Sequence, residues 1–186
     1  MLLHINGWAG AGKLPIARLM ANQIDARVVD NHTIYNIGFS LTQFRSDEFY
    51  ETVRAVRDIA FARILALDPV VPVIITNALG ASSEWADENW AAIRELSAQR
   101  TCPLLAVTLR CAKEQHLERT TSAERSYLGK LRDRKQLEAM FDRGLLVPEG
   151  AHGEMQLDTT DMMPETAAQR ILAWLTQSRL PASTRS

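Results

Sequence analysis

The segment LLHINGWAGAGKLPIARLM, residues 2–20, decides the fold class of this chain. Its apolar start, residues 2–5, predicts a buried strand, and the periodic apolar residues between 16 and 24 predict a helix. The loop between them consists of Gly7, Trp8, Ala9, Gly10, Ala11, Gly12 and Lys13. Because the glycines let the backbone approach an anion and the lysine adds a positive charge, this GxxxxGK pattern between a strand and a helix predicts a phosphate-binding site.

The pattern departs from its usual form after the lysine, where a serine or threonine normally helps to hold Mg²⁺. Leu14 has no oxygen for a metal ion, and Pro15 has no N–H for a phosphate. We expect residues 7–14 to bind the phosphates of a nucleotide, with the metal site left unknown. A glycine-rich turn without a ligand is the alternative. Trp8 either covers the bound nucleotide or packs on the neighbouring helix.

Composition and charge narrow the class of protein. The chain has 186 residues, 46% of them hydrophobic, which predicts one domain over residues 1–178 and a flexible tail over 179–186. A net charge of −1 gives no electrostatic reason to expect a nucleic-acid partner. The two cysteines predict a reducing compartment, the cytoplasm, and no apolar run approaches a membrane span of about 20 residues. Either a monomer or a homodimer is compatible with the sequence.

Apolar runs alternate with helical periodicity along the whole chain. Strands are predicted at residues 2–5, 27–30, 70–76, 103–108 and 155–158, and helices at 16–24, 47–67, 84–99, from 113 onward and at 164–177. Residues 31–44 lack clear periodicity and are predicted to form a loop with at most a turn of helix. The alternation predicts an α/β fold in which a five-stranded parallel sheet has helices on both faces. Ligands of such sheets bind beyond the carboxyl ends of the strands.

Three polar residues follow predicted strands at that edge. Asp30 ends the second strand, where a carboxylate can accept a substrate hydroxyl proton or hold Mg²⁺ through water; a helix cap or turn is the alternative. His32 is a candidate substrate ligand or a surface residue. Asn77 ends the third strand and either orders a substrate oxygen or serves as a turn residue.

Basic residues concentrate between 119 and 135. Arg119, Arg125, Lys130 and Arg132 lie there, with acidic residues interleaved. Such a segment predicts a small lid that closes over phosphates and neutralises charge in the transition state. A solvated helix face is the other interpretation. Arg119 and Arg125 are the residues to which we assign a role, Arg125 as a catalytic residue of the lid.

Taken together, these motifs resemble the small P-loop kinases that phosphorylate metabolites or drugs, the group of shikimate kinase, gluconate kinase and chloramphenicol phosphotransferase. Residues 7–13 resemble their Walker A loop, and Asp30 matches the acidic residue after their second strand. Arg119 and Arg125 resemble their adenine-side and lid arginines. Residues 157–160, which include Thr160, are similar to the last strand and nucleotide-base loop.

The resemblance implies a P-loop NTPase fold with strand order 2-3-1-4-5, ATP as the phosphoryl donor, and Mg²⁺ as the metal ion. We therefore expect an ATP-dependent phosphotransferase that acts on a hydroxyl of a small molecule, a metabolite or an antibiotic, with Lys13, Asp30 and Arg125 as catalytic residues. One alternative is a nucleotide-binding module with weak or no catalysis, because Leu14 replaces the usual hydroxyl residue. The other is a polynucleotide-modifying or toxin-type kinase on a related scaffold.

Overall fold

A parallel sheet of five strands forms the centre of the protein, and the computed structural model describes residues 1–121, 141 and 143–178. The strands are β1 (Leu2–Asn6), β2 (Arg27–Val29), β3 (Val73–Asn77), β4 (Leu104–Arg110) and β5 (Gly153–Asp158). The helices are α1 (Lys13–Ile24), α2 (Asn31–Leu41), α3 (Asp47–Leu65), α4 (Glu84–Gln99), α5 (Lys113–Thr121) and α6 (Pro164–Ser178). The strand order β2-β3-β1-β4-β5 confirms the predicted topology.

The central strands are buried on both faces, as their continuous apolar runs predict. On one face, Leu3 and Ile5 of β1 pack in a core with apolar residues of α1 and α6. On the other face, Leu2 packs in a second core with apolar residues of α3 and α4. This arrangement places helices on both sides of the sheet, in agreement with the sequence.

The strand register brings the carboxyl ends of β1 and β3 to the same level, and β4 continues two residues further. Asn6 at the end of β1 lies opposite Asn77 of β3 and Thr108 of β4. All neighbouring strands run parallel, so the loops that follow them leave the sheet at a common edge. Residues from distant parts of the sequence therefore meet beyond this edge.

Two helices begin where the sequence predicts. Ser46 caps α3 by accepting a hydrogen bond from the backbone N–H of Phe49, at 3.2 Å. Ser83 caps α4 in the same way. Buried Arg100, which follows α4, donates to the backbone carbonyls of Ile64, Asp68 and Val71, a set of contacts that no local pattern predicts. This guanidinium therefore ties the end of α4 to the end of α3 and the loop after it.

The prediction of a loop over residues 31–44 is wrong, because residues 31–41 form helix α2. The helix packs on α3, and Gly38 makes the closest approach. A Cβ atom at that position would lie 3.0 Å from a ring carbon of Phe49 and 3.2 Å from a methyl group of Val53. The helix is thus stabilised by a tertiary contact that the local sequence does not reveal.

Strand β3 also begins later than predicted, at Val73 rather than Val70. Val70 is 81% exposed and lies outside the sheet. No helix in the described part of the chain combines the length and the apolar character needed to cross a membrane. Most of the predicted lid, including Arg125, and the predicted tail over residues 179–186 lie outside the described residues.

Candidate active site

The glycine loop between β1 and α1 curls through two left-handed residues. Gly10 has φ +92° and Gly12 has φ +85°, a region that residues with a Cβ atom rarely adopt. Gly12 is the N-cap of α1 and has no side chain to bind the first N–H groups of the helix. Those N–H groups and the positive end of the helix dipole are therefore available to an anion.

Lys13 lies across the loop that precedes it. Its Nζ atom donates to the carbonyl oxygen of Gly7 at 2.6 Å and to that of Trp8 at 2.9 Å. These two hydrogen bonds keep the loop curled around the positively charged ammonium group of Lys13. A phosphate group in the loop would offer this ammonium negatively charged acceptors in addition to the neutral carbonyls.

Gly7 and Trp8 pack the start of the loop against neighbouring segments of the chain. A Cβ atom on Gly7 would lie 2.9 Å from the carbonyl oxygen of Leu109, so the loop can approach β4 only with glycine there. Trp8 is buried, with 7% of the residue exposed, and a Cβ atom on Gly80 would lie 2.8 Å from its ring. The indole packs against the segment that follows β3, an arrangement that neither sequence interpretation of Trp8 included.

A cavity of about 450 Å³ opens beside the loop. It is lined by residues 9–16, by Asp30, Asn31 and His32, by Ala78 and Arg119, and by Thr159 and residues 162–164. The chain segments after β1, β2, β3 and β5 meet in this one space, as the rule for parallel sheets predicts. Of the predicted site residues, the cavity brings together Ala9, Gly10, Ala11, Gly12, Lys13, Leu14, Asp30, His32 and Arg119.

Asp30 is both a helix cap and a wall of the cavity. Its Oδ2 atom accepts from the backbone N–H of His32 at 3.3 Å, which caps α2. Its Oδ1 atom accepts from the hydroxyl of Thr76, at 2.7 Å, on the neighbouring strand β3. The two sequence interpretations of this residue are therefore compatible, because capping leaves the carboxylate at the cavity surface.

A buried hydrogen-bond network lies behind Asp30. The Asn31 backbone N–H donates to the Thr76 hydroxyl at 3.3 Å, and the Asn77 amide donates to the Asn31 side chain at 3.1 Å. The His4 Nε2 atom lies 3.1 Å from the Asn77 side-chain oxygen. Asn77 therefore does not line the cavity itself but binds Asn31, which does. Its predicted contact with substrate stays a prediction.

His4 is the residue of this network that sequence analysis left without a role. Complete burial lowers the pKa of His4 to about 4, the Asn77 hydrogen bond opposes the shift, and the positive charge of Lys13 adds to it. The imidazole is thus neutral at pH 7 and donates its Nε2 proton to Asn77. The sequence feature that could have indicated a role for His4 is its position as a polar residue in the mostly apolar strand LLHIN.

Arg119 connects α5 to the loop after β5. Its Nη2 atom donates to the carbonyl oxygens of Thr159 at 3.2 Å and Thr160 at 2.8 Å. Thr160 in turn donates its backbone N–H to the Asp158 carboxylate at 2.8 Å, and the hydrogen bonds from Thr160 lower the pKa of Asp158. Thr160 lines a second cavity of about 370 Å³, which shares Met162 and Met163 with the first.

Comparison with known proteins gives similar structures but no similar sequences. A scan against protein-family models and a search of curated proteins each find no match. A candidate kinase from Chloroflexus aurantiacus has a TM-score of 0.71 at 16% identity, over 96% of this chain and 98% of that one. A gluconokinase from Sinorhizobium meliloti 1021 has a TM-score of 0.63 at 16% identity, over 94% and 91% of the two chains.

A third similar structure is shikimate kinase from Acinetobacter baumannii in complex with shikimate, with a TM-score of 0.59 at 19% identity. The match covers 96% of this chain and 94% of that one. The fold is that of the small P-loop kinases. This confirms the fold class and the structural resemblance predicted from residues 2–20 and the alternating strands and helices.

The donor atoms around the P-loop offer little to a metal ion. Leu14 lines the cavity where P-loop proteins usually have a hydroxyl group. Asp30 is the one carboxylate among the described residues that line the cavity. Within residues 1–121, 141 and 143–178, no group of three or more His, Cys, Asp or Glu side chains is placed to hold a metal ion. These residues fit an ion held mainly by phosphates and water, with Asp30 beside it.

Proposed function

We propose that this chain is an ATP-dependent phosphotransferase that transfers the γ-phosphoryl group to a hydroxyl of a small molecule. The observation that carries the proposal is the cavity of about 450 Å³, which is lined both by the P-loop and by the Asp30 carboxylate. A phosphate cradle and a proton acceptor in one space are the two groups that this reaction needs. The kinase names of the similar structures support the same reaction class.

The P-loop is assigned to the phosphates of ATP. The first N–H groups of α1 and the loop amides would bind phosphate oxygens, with residues 7–14 as the predicted contacts. Lys13, which lies on the carbonyls of Gly7 and Trp8, would also donate to the β- and γ-phosphates and stabilise charge during transfer. Mg²⁺, when bound, supplies further charge neutralisation, and Asp30 would hold it through water.

Asp30 is assigned as the general base. The acceptor hydroxyl gives its proton to Asp30, and its oxygen forms a bond to the γ-phosphorus. The bond between that phosphorus and the bridging oxygen breaks, and ADP leaves with the electron pair. Asn31 and His32, which begin α2, line the cavity next to Asp30 and would contact the acceptor.

Arginines are assigned to the nucleotide and the lid. Arg119 lines the cavity and is bonded to the loop after β5, so it would lie beside the nucleotide base together with Thr160. Arg125 belongs to the proposed lid over residues 119–135, which would close on the phosphates. We propose one domain over residues 1–178, a small-molecule acceptor, and a monomer or homodimer.

Calorimetric titration of the purified protein with ATP, ADP and GTP, with and without Mg²⁺, is the first test. ATP binding that Mg²⁺ strengthens is the expected result, followed by ATP-dependent phosphorylation in a mass-spectrometric screen of hydroxyl metabolites and antibiotics. Absence of binding to all three nucleotides would overturn the proposal. The cavity would then be a site for another anion.

A second candidate function is a nucleotide-binding module without efficient catalysis. The specific observation in its favour is the Leu14 side chain in the cavity lining, where it provides no metal ligand. This candidate predicts ATP binding that does not depend on Mg²⁺ and no phosphorylated product in the same screen. The two candidates thus separate in a single set of measurements.

A further inference from the structure

Thr76 lies directly behind Asp30 and is completely buried, with 0% of its surface exposed. It is the fourth residue of β3, and its hydroxyl oxygen is 2.7 Å from Oδ1 of Asp30 and 3.3 Å from the backbone nitrogen of Asn31. One hydroxyl group therefore contacts both the candidate base and the first residue of α2. The sequence places Thr76 at the end of the predicted third strand, at the ligand-binding edge of the sheet, but assigns it no contact with Asp30.

The direction of these two hydrogen bonds follows from chemistry. A backbone N–H can only donate, so the Thr76 oxygen accepts from Asn31. An ionised carboxylate can only accept, so the single hydroxyl proton of Thr76 goes to Asp30. A hydrogen bond to an ionised acceptor is short and strong, in agreement with the 2.7 Å distance.

The two oxygens of the Asp30 carboxylate are consequently not equivalent. Oδ1 is held by the Thr76 hydroxyl at 2.7 Å, whereas Oδ2 has a longer bond of 3.3 Å from the backbone N–H of His32. The more weakly bound oxygen retains more capacity to accept a proton from a substrate hydroxyl. Fixing Oδ1 also fixes the rotation of the carboxylate, and with it the direction in which Oδ2 points.

We propose that Thr76 is a positioning residue, which anchors Oδ1 of Asp30 so that Oδ2 is the atom that takes the proton of the acceptor hydroxyl. This inference rests on the proposed phosphotransferase function and adds a residue to its machinery. Thr76 touches neither nucleotide nor acceptor in this scheme and acts through Asp30 alone. Loss of its hydroxyl should therefore slow the chemical step and leave nucleotide binding intact.

The surrounding network explains why a buried hydroxyl can hold the carboxylate firmly. Asn77, the next residue of β3, donates to the Asn31 side chain, so β3 binds the start of α2 at two consecutive positions. Asn77 is itself bonded to the neutral imidazole of His4 on β1. Strand β3 lies between β2 and β1 in the sheet, which makes this support rigid.

The test compares Thr76→Val, which keeps the shape of the side chain but removes the hydroxyl, with Thr76→Ser, which keeps the hydroxyl. Thr108→Val is the matched control for a buried threonine at the same edge, since Thr108 lies at the end of the β1–β4 pairing rather than beside Asp30. Because the acceptor is unidentified, the probe is MgATP with water as the acceptor. Hydrolysis rates are combined with calorimetric ATP binding and amide hydrogen exchange of Asn31.

We expect Thr76→Val to lower kcat for ATP hydrolysis roughly 10- to 100-fold, as small misplacements of a catalytic group do. KM and Kd for ATP should stay close to the wild-type values, and Thr76→Ser should recover most of kcat. Thr108→Val should keep kcat near wild type. Faster exchange of the Asn31 amide in Thr76→Val alone would show that the anchor has been removed without unfolding.

Three results would overturn the inference, and they can be distinguished from one another. If the wild type hydrolyses ATP, Asp30→Asn abolishes hydrolysis and Thr76→Val retains full kcat, Thr76 does not position the base and only this inference fails. An equal loss in Thr76→Val and Thr76→Ser would also refute it, because the hydroxyl would not be the group that matters. If the wild type neither binds nor hydrolyses ATP, the proposed function fails and this inference fails with it.

Discussion

Asp30 caps helix α2 and lines the cavity beside the P-loop with the same carboxylate. The hydrogen bond to the start of α2 orients the Asp30 carboxylate, and the carboxylate still lines the cavity. Lys13 is likewise held by the loop that it serves, through the carbonyls of Gly7 and Trp8. At the scale of single residues, the atoms that position these two side chains are therefore the same atoms to which the proposed function assigns chemistry.

Asp30→Asn should lower turnover of MgATP by a factor of about 10² to 10⁴, because an amide cannot take the proton of the acceptor. Asparagine caps helices about as well as aspartate, so the thermal unfolding midpoint should stay near that of the wild type. Asp30→Ala, which removes the cap as well, is expected to cost about 1 kcal/mol of stability. Full turnover in Asp30→Asn would remove Asp30 from the mechanism.

Lys13→Ala should weaken ATP binding roughly 10- to 100-fold, since hydrogen bonds to charged groups contribute about 1.5–3 kcal/mol. Turnover should be abolished while the far-ultraviolet circular dichroism spectrum stays unchanged. Arg18→Ala is the matched control, because Arg18 is an exposed cation on the same helix. Equal ATP affinity in the wild type and Lys13→Ala, measured by calorimetry, would contradict the assignment of the P-loop.

Leu14→Ser restores the hydroxyl that P-loop proteins usually offer to Mg²⁺. We expect calorimetry to show a larger gain in ATP affinity on adding Mg²⁺ than in the wild type. Leu14→Ala is the control that removes the bulk of leucine without adding an oxygen. The same response to Mg²⁺ in both variants would show that an oxygen at position 14 does not matter.

At the scale of elements, helix α2 forms the wall of the cavity to which the proposed function assigns the acceptor. Its first residues, Asn31 and His32, line the cavity, and its middle packs on α3 through the bare backbone of Gly38. The proposed acceptor site therefore depends on the contact between α2 and α3. A change at this contact should alter stability directly and acceptor binding indirectly.

Gly38→Val should destabilise the fold by about 1–3 kcal/mol, because even the Cβ atom would lie 3.0 Å from the Phe49 ring. Urea unfolding followed by circular dichroism measures the effect. Ser40→Val places the same side chain at an exposed position of the same helix and should change stability by less than about 0.5 kcal/mol. Equal stability of the two variants would mean that α2 does not pack closely on α3.

At the scale of the whole molecule, the sheet holds a neutral histidine at its centre. His4 is completely buried on β1, and its pKa falls from 6.5 in the exposed state to about 4. Because the unfolded chain binds this proton more readily than the folded one, folding stability rises with pH. The contribution is fully present above pH 6.5 and is lost as pH falls from 6.5 toward 4.

Urea unfolding at a series of pH values should therefore show the wild type losing up to about 3 kcal/mol of stability from this group across that interval. His4→Gln keeps an N–H donor for Asn77 but does not titrate, so the slope should flatten. An unchanged slope in His4→Gln would assign the pH dependence to other groups.

The sequence by itself determined the glycine loop, the alternation of strands and helices, and the edge of the sheet at which ligands would bind. These features depend on local spacing: glycines before a lysine, continuous apolar runs for buried strands, and a 3.6-residue period for helices. The starts of helices α3 and α4 depend on the same kind of local spacing, because the N-caps Ser46 and Ser83 each accept from an N–H three residues later.

Only the tertiary structure decided which residues surround Asp30. Thr76 lies 46 positions away in the chain, and its hydrogen bond exists because β3 runs beside β2. The helical state of residues 31–41, the burial of Trp8 against Gly80 and the neutral His4 also depend on contacts between distant segments. Local periodicity carries no information about such contacts, since their energy comes from neighbours that the fold alone brings together.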